Sequence, residues 1–193
     1  HDFSFILESE QEFIAPEVVM SYSSCGFEKL SHNYHKIFRE NLCRSNYINK
    51  RPPILVNNWE ATYFDFTGEK LIEIAKQAKN LGIEMLVMDD GWFGKRDDDN
   101  SGLGDWFVNE EKLGCSLSEF VNQINEIGLK FGLWFELEMV SEDSCLYREH
   151  PEWCLTVPWR KPFRGRNQLL LDMGRKDVQE YIKKCFFDIM DQA

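Results

Sequence analysis

The sequence predicts an α/β fold in which parallel strands alternate with helices, as in an α/β barrel, and three observations carry that expectation. Apolar runs without alternation at Ile54 to Val56, Ile83 to Met88 and Lys130 to Phe135 read as strands buried on both faces. Between them, residues 67–81 and 116–127 place apolar side chains at helical spacing, with short connections, so strand and helix alternate as parallel sheets require. Each run also ends in chemistry-bearing residues: Asn57, Asn58 and Trp59, then Asp89 and Asp90, then Trp134, Glu136 and Glu138. In a barrel that end is the ligand face.

In chain order, Phe3, Phe5 and Leu7 alternate as one face of a half-buried strand would, in the first of two β-like runs before residue 24. Phe27, Leu30, Tyr34, Ile37, Phe38 and Leu42 then recur at helical spacing. The Arg51-Pro52-Pro53 step ends that helix and opens a second module, giving domains 1–50 and 51–193. Thr67 is the expected N-cap of a helix whose stripe is Leu71, Ile74, Ala75, Ala78 and Leu81, closed by Gly82. Ser116 and Glu119 form a capping-box pair before Phe120, Val121, Ile124 and Ile127, and Gly128 closes that helix. Residues 141–174 read as a long excursion with a short helix near Cys145 and an apolar run from Gln168 to Leu171, a length more typical of a binding loop than of filler. A last helix carries Val178, Tyr181, Ile182, Cys185, Phe186 and Ile189 on one stripe, and a fourth strand is expected beyond Ala193.

The composition, 43% hydrophobic and 14% aromatic, is that of a folded globular chain. A formal charge of -11 argues against nucleic acid, which requires clustered cations. No apolar run approaches the ~18 residues of a membrane span, and the absence of an initiator Met leads us to expect a chain that begins inside a longer one. The six cysteines are irregularly spaced, which fits reduced thiols in a cytoplasmic protein. His32 and His35 lack a third ligand at suitable spacing, and the Asp97, Asp99, Ser101, Gly102 series lacks the closing Glu of a calcium loop, since Val108 stands there. With no phosphate-binding glycine motif either, neither metal nor cofactor is expected.

Carboxylates and indoles remain. At the mouth of an α/β barrel they are the equipment of sugar binding, indole faces on pyranose C–H surfaces and carboxylates on pairs of hydroxyls. An Asp-Gly turn is the lesser alternative for Asp89 and Asp90, and core packing would explain about half of Trp59, Trp92, Trp106 and Trp134. Glu136 and Glu138, on one face of the third strand, lie about 7 Å apart by strand rise and approach from one side, so they read as structural hydrogen-bonding groups.

RPPILVNNWEATYFDF, LVMDDGWFGKRDDD, SGLGDWFVN, GLKFGLWFELEM, YREHPEW and GRNQLLLDMGR, taken together, resemble the catalytic barrel of family 36 glycoside hydrolases, the retaining bacterial α-galactosidases. The resemblance implies the first three βα units of a (β/α)8 TIM barrel, preceded by a β-sandwich remnant and a linker helix. It also implies hydrolysis of terminal α-linked galactose from oligosaccharides such as raffinose and melibiose, in a cytoplasmic homo-oligomer with neither nucleic acid nor membrane as partner. Asp89 and Asp90 would hold the galactose hydroxyls, Trp134 would pack on the sugar, Arg166 would hydrogen-bond within the site, and Trp59 would line the entrance. The family's nucleophile and acid/base Asp residues match nothing before Ala193, so no catalytic residue is assigned and the 193-residue piece alone is expected to be inactive. Leu137, Gly174 and Lys176 depart from the commoner Pro, Ser and Pro of the family. An inactive truncated product, an α-galactosyl transferase and an α-N-acetylgalactosaminidase remain open as alternatives.

Overall fold

The structure, a computed structural model, describes residues 5–162 and 164–193 and divides into two units, His1–Pro52 and Pro53–Ala193. In the first unit, residues 5–24 form no strand, which corrects the expectation of β-like runs there; Phe3 lies outside the described residues. Alternation is a local signal, whereas a strand needs a neighbour to receive its backbone bonds. Phe5 and Leu7 are exposed, and the Phe5 ring meets Phe13 across a turn, at 5.0 Å. Helix α1 (Gly26–Ile37) forms as the periodicity predicts and runs into a π-helical turn, Phe38–Leu42. Its apolar stripe contains no buried residue.

The second unit holds the parallel sheet. Strands β1 (Leu55–Asn57), β2 (Met85–Met88) and β3 (Lys130–Leu133) lie in the order β1-β2-β3, pairing Leu55 with Met85 and Met85 with Lys130. A four-residue helix, α2 (Trp59–Thr62), follows β1 directly. Helix α3 (Gly68–Asn80) connects β1 to β2, capped by the Thr67 side chain, which accepts from Lys70 N at 3.3 Å. The short α4 (Glu110–Leu113) precedes α5 (Leu117–Ile127), which leads into β3 and carries the complete Ser116–Glu119 capping box. Gly128 ends α5 in the left-handed region, and Lys79 of α3 donates to the Gly128 carbonyl at 2.8 Å. Leu71 and Ala75 of α3, Phe120 and Ile124 of α5, and Leu86 and Met88 of β2 form one buried core.

The excursion has an organisation the sequence does not announce. A three-residue strand β4 (Met139–Ser141) pairs antiparallel with β5 (Gln168–Leu170), closing a loop that contains α6 (Cys145–Glu149) and a 3-10 turn at Pro151–Trp153. Helix α7 (Lys176–Met190) contributes Val178 and Ile182 to a second core around this ribbon and Ile189 to the first. Leu137, one of the family departures, packs against both cores. At the start of α7 the N-cap Arg175 has no side-chain cap bond and instead pairs with Asp177 at 2.7 Å.

Gly68, the first residue of α3, supplies a test of this packing. A Cβ there would stand 2.1 Å from the carbonyl oxygen of Leu113, a backbone atom. Gly-to-Ala changes in a compatible conformation usually stabilise by about 0.4–1 kcal/mol. Here overpacking reverses the sign: Gly68→Ala is expected to destabilise by about 1–3 kcal/mol. Urea unfolding reads this as a lower midpoint at constant slope; an unchanged or raised midpoint contradicts the contact.

Candidate functional site

Because the strands run parallel, their C-terminal ends share one edge of the sheet, and the chain leaves that edge three times, at Asn58, Asp89 and Trp134. The first exit holds the second. Asn58, wholly buried, accepts from Asp89 N at 2.8 Å and donates to Thr62 Oγ1 at 2.8 Å. Asn57 accepts from Trp59 N at 2.7 Å, while its amide donates to the Asp89 carboxylate. The other Asp89 oxygen accepts from Asp90 N at 2.8 Å, so this half-buried side chain is fixed by its own loop and by β1.

Asp90 is differently placed. Its carboxylate is 1% exposed and takes a fork from Arg96, itself 0% exposed: Nε to Oδ1 at 3.0 Å and Nη2 to Oδ2 at 2.8 Å. Arg96 Nη1 donates to the Ser101 carbonyl at 3.0 Å, and the guanidinium lies over the Phe64 ring. The loop can fold back this sharply because Gly91 has φ +100, where a Cβ would also press on Phe64 at 3.0 Å. Neighbouring carboxylates thus have separate surroundings, Asp89 half open and Asp90 sealed against a cation. Sequence reasoning missed Arg96, whose only signal is one cation inside the KRDDD charge run.

The indoles divide as well. Trp92 and Trp106 are core, and Trp92 Nε1 donates to the Trp134 carbonyl at 3.0 Å. Trp59 and Trp134 are half-buried at the strand ends. Trp59 meets Tyr63 and Phe64 edge-on, and Trp134 lies nearly parallel to Phe93, at 6.5 Å and 13°.

Glu136 and Glu138 correct the sequence reading. Strand β3 stops at Leu133, so neither lies on it: Glu136 is in an irregular link and Glu138 in a turn before β4. The structural hydrogen bond expected of Glu136 is not made at its Oε2, which is buried and has no partner among the described residues. Desolvation raises the Glu136 carboxyl above the usual range; Arg166 and Arg96 oppose the shift, Glu138 and Asp90 add to it. Arg166, on the exposed turn before β5, donates to Asp99 Oδ1 at 2.8 Å. Its guanidinium is held charged first by Asp99 and then by the fields of Glu136 and Asp90, which brings it into the same electrostatic cluster.

The acidic run 97–99 disperses onto protein partners, Asp97 to Lys112 and Asp98 to Asn100 N and Ser101, and among the described residues no group of His, Cys, Asp or Glu forms a metal-ligand set. No cysteine is disulfide-bonded among the described residues. Among these residues, too, no helix is long and apolar enough to cross a membrane. A half-open carboxylate beside two partly exposed indoles suits a polyhydroxylated ligand, whose hydroxyls can donate to the one and whose C–H faces can cover the others.

The melibiase family model matches residues 12–193. The bifunctional α-galactosidase/sucrose kinase AgaSK of Mediterraneibacter gnavus is 53% identical over 195 residues, covering 99% of this chain and 20% of that protein. The α-galactosidase AgaA of Geobacillus stearothermophilus is 52% identical over 192 residues, covering 100% of this chain and 26% of that protein. A crystal structure of an AgaA variant in complex with raffinose superposes with a TM-score of 0.80 at 53% identity, over 83% of this chain and 22% of that one. The chain therefore spans about a fifth to a quarter of the length of the curated relatives it matches.

Two measurements follow from the electrostatics. Arg96→Met leaves Asp90 buried without its partner and is expected to cost about 3–5 kcal/mol, most of it regained in Arg96→Met/Asp90→Leu; a loss within ~1 kcal/mol, typical of surface pairs, contradicts the sealed geometry. For Glu136, the raised carboxyl pKa means its protonated form is favoured on folding. Its contribution to stability is present below the ordinary carboxylate range and is lost as pH rises through the raised value. The stability of Glu136→Gln relative to wild type is thus expected to increase with pH across that window in thermal melts, whereas a pH-independent difference contradicts the burial.

Proposed function

The chain belongs to the melibiase family of glycoside hydrolases, and from that premise we propose that the protein carrying it is a retaining α-galactosidase, with this segment supplying the part of the site that receives galactose. In this reading residues 51–193 are the amino-terminal part of a (β/α)8 barrel, residues 1–50 close the domain before it, and the nucleophile and acid/base carboxyls come from beyond Ala193. The substrates are oligosaccharides ending in α-linked galactose, such as raffinose and melibiose. The observation that carries the reading is Asp89: a half-buried carboxylate fixed by Asn57 and Asp90 N, at the edge where three parallel strands end, beside the half-buried indoles of Trp59 and Trp134.

Each part then has a task. Asp89 accepts hydrogen bonds from sugar hydroxyls with the lone pairs its own loop leaves free. Asp90, sealed against Arg96, holds that loop and so fixes where Asp89 stands. Trp134 covers the apolar face of the pyranose, Trp59 lines the approach to the leaving group, and Arg166 adds donors from the far loop. A retaining mechanism places its two reacting carboxyls about 5–5.5 Å apart across the bond, and the contribution of this segment is to hold galactose between them.

In the full-length protein, Asp89→Asn replaces charge-assisted bonds with neutral ones and is expected to weaken galactose binding by about 1.5–3 kcal/mol. Trp134→Ala is expected to weaken binding as well, and if its ring served only as core the cost would appear instead as about 3–5 kcal/mol of stability. Calorimetric titration of galactose beside thermal melts separates these cases. Unchanged galactose affinity in both variants removes these residues from the site.

A further inference from the structure

Arg166 is held in a way that leaves one place for it unfilled. Its backbone has φ +48 and that of Asn167 has φ +64, two consecutive non-glycine residues in the left-handed region, a costly arrangement that persists where surroundings fix it. Asn167 does the fixing, donating to Asn100 Oδ1 at 3.0 Å, while the Arg166 side chain is half exposed and, among the described residues, hydrogen-bonds from Nη2 to Asp99 Oδ1 at 2.8 Å. The turn is anchored by Asn167, and the guanidinium rests on a half-exposed outer partner, Asp99.

Around it the charges are unevenly served. Asp99 Oδ1 also has Arg96 Nη2 at 3.8 Å, and Arg96 cannot follow Arg166 because Asp90 and the Ser101 carbonyl hold it. Asp99 therefore keeps a cation if Arg166 leaves. Glu136, by contrast, has a buried Oε2 with no partner among the described residues, and the cation acting on it most strongly is Arg166, ahead of Arg96, with Glu138 and Asp90 as the opposing carboxylates.

We propose that Glu136 is the positioning residue for Arg166 in the ligand-bound state: the guanidinium exchanges its outer partner Asp99 for the buried Oε2 of Glu136 and, held there, turns its remaining N–H groups toward the ligand. The exchange gives the unsatisfied oxygen its donor and leaves Asp99 with Arg96 at 3.8 Å. The identity of the ligand rests on the α-galactoside reading; the second seat for Arg166 does not.

The test separates the two. In the full-length protein without ligand, Asp99→Asn removes the outer seat, so Arg166 moves to Glu136. Glu136→Gln, which relieves a burial cost in the wild-type background and leaves or raises the melting temperature at neutral pH, is then expected to lower it in the Asp99→Asn background. Absence of that reversal of sign overturns the proposal. With galactose as probe, Glu136→Gln is expected to weaken binding about tenfold, a change of ~1.4 kcal/mol. Glu136→Asp should restore part of the loss, and Glu136→Gln added to Arg166→Gln should cause no further loss. Unchanged affinity in Glu136→Gln, or additive losses in the double variant, overturns the role in binding. If the wild-type protein does not bind galactose, the α-galactoside reading fails, and the sign reversal alone decides the second seat.

Discussion

Placing a guanidinium and a carboxylate together out of water is costly unless almost every donor and acceptor is matched, and the Asp90–Arg96 pair meets that condition with a two-point fork, a third bond to the Ser101 carbonyl and an aromatic ring beneath. The rest of the sheet edge depends on that match. It forces the chain after β2 to turn back at Gly91, draws residues 96–101 over the end of the strand, and leaves Asp89 as the carboxylate that faces outward. A sealed ion pair adds little net stability over an apolar pair of the same volume. Its effect here is geometric, since a loop that must bring Arg96 to Asp90 has little freedom to place Asp89 anywhere else.

Two adjacent residues of one type thereby acquire different work. Asp89 is bound through amides from β1 and from its own loop, neutral partners that leave its charge available. Asp90 has its charge matched inside the protein. The same logic separates the tryptophans, with Trp92 and Trp106 filling the core so that Trp134, tied through its carbonyl to Trp92 Nε1, is carried at a fixed height above it. Beyond them, Asp99 links Arg96 to Arg166, joining the loop after β2 to the turn before β5.

Signals that act over a few residues were the legible ones. Thr67, the Ser116–Glu119 box and Gly128 mark helix ends by bonds within one turn, and the three apolar runs coincide with the parallel strands, although β2 alternates buried with half-buried residues and β1 leaves Leu55 exposed. The candidate edge was legible for the same reason: Asp89 and Asp90 follow directly on the second run, and Trp134 stands near the end of the third. What the sequence hid depends on partners far along the chain. Alternation near Phe5 and Leu7 imitates a strand although nothing pairs with it, and β4 is three residues long with a partner almost thirty positions away. Arg96 is one cation in a charged run, and nothing local says that it alone turns inward. Glu136 and Glu138 were misread because the apolar run suggests a longer strand than forms; once β3 ends at Leu133, the same-face argument no longer applies.

The central claim is that the strand-end edge organised by Asp90 and Arg96 is where galactose sits. Amide hydrogen exchange of the full-length protein with and without galactose addresses it most directly, because it reads backbone protection segment by segment. The account predicts added protection at residues 57–59, 89–96, 134–138 and 165–168, and little change along the helices α3 and α5. Saturating galactose that leaves these four segments unchanged, while protecting others, would contradict it.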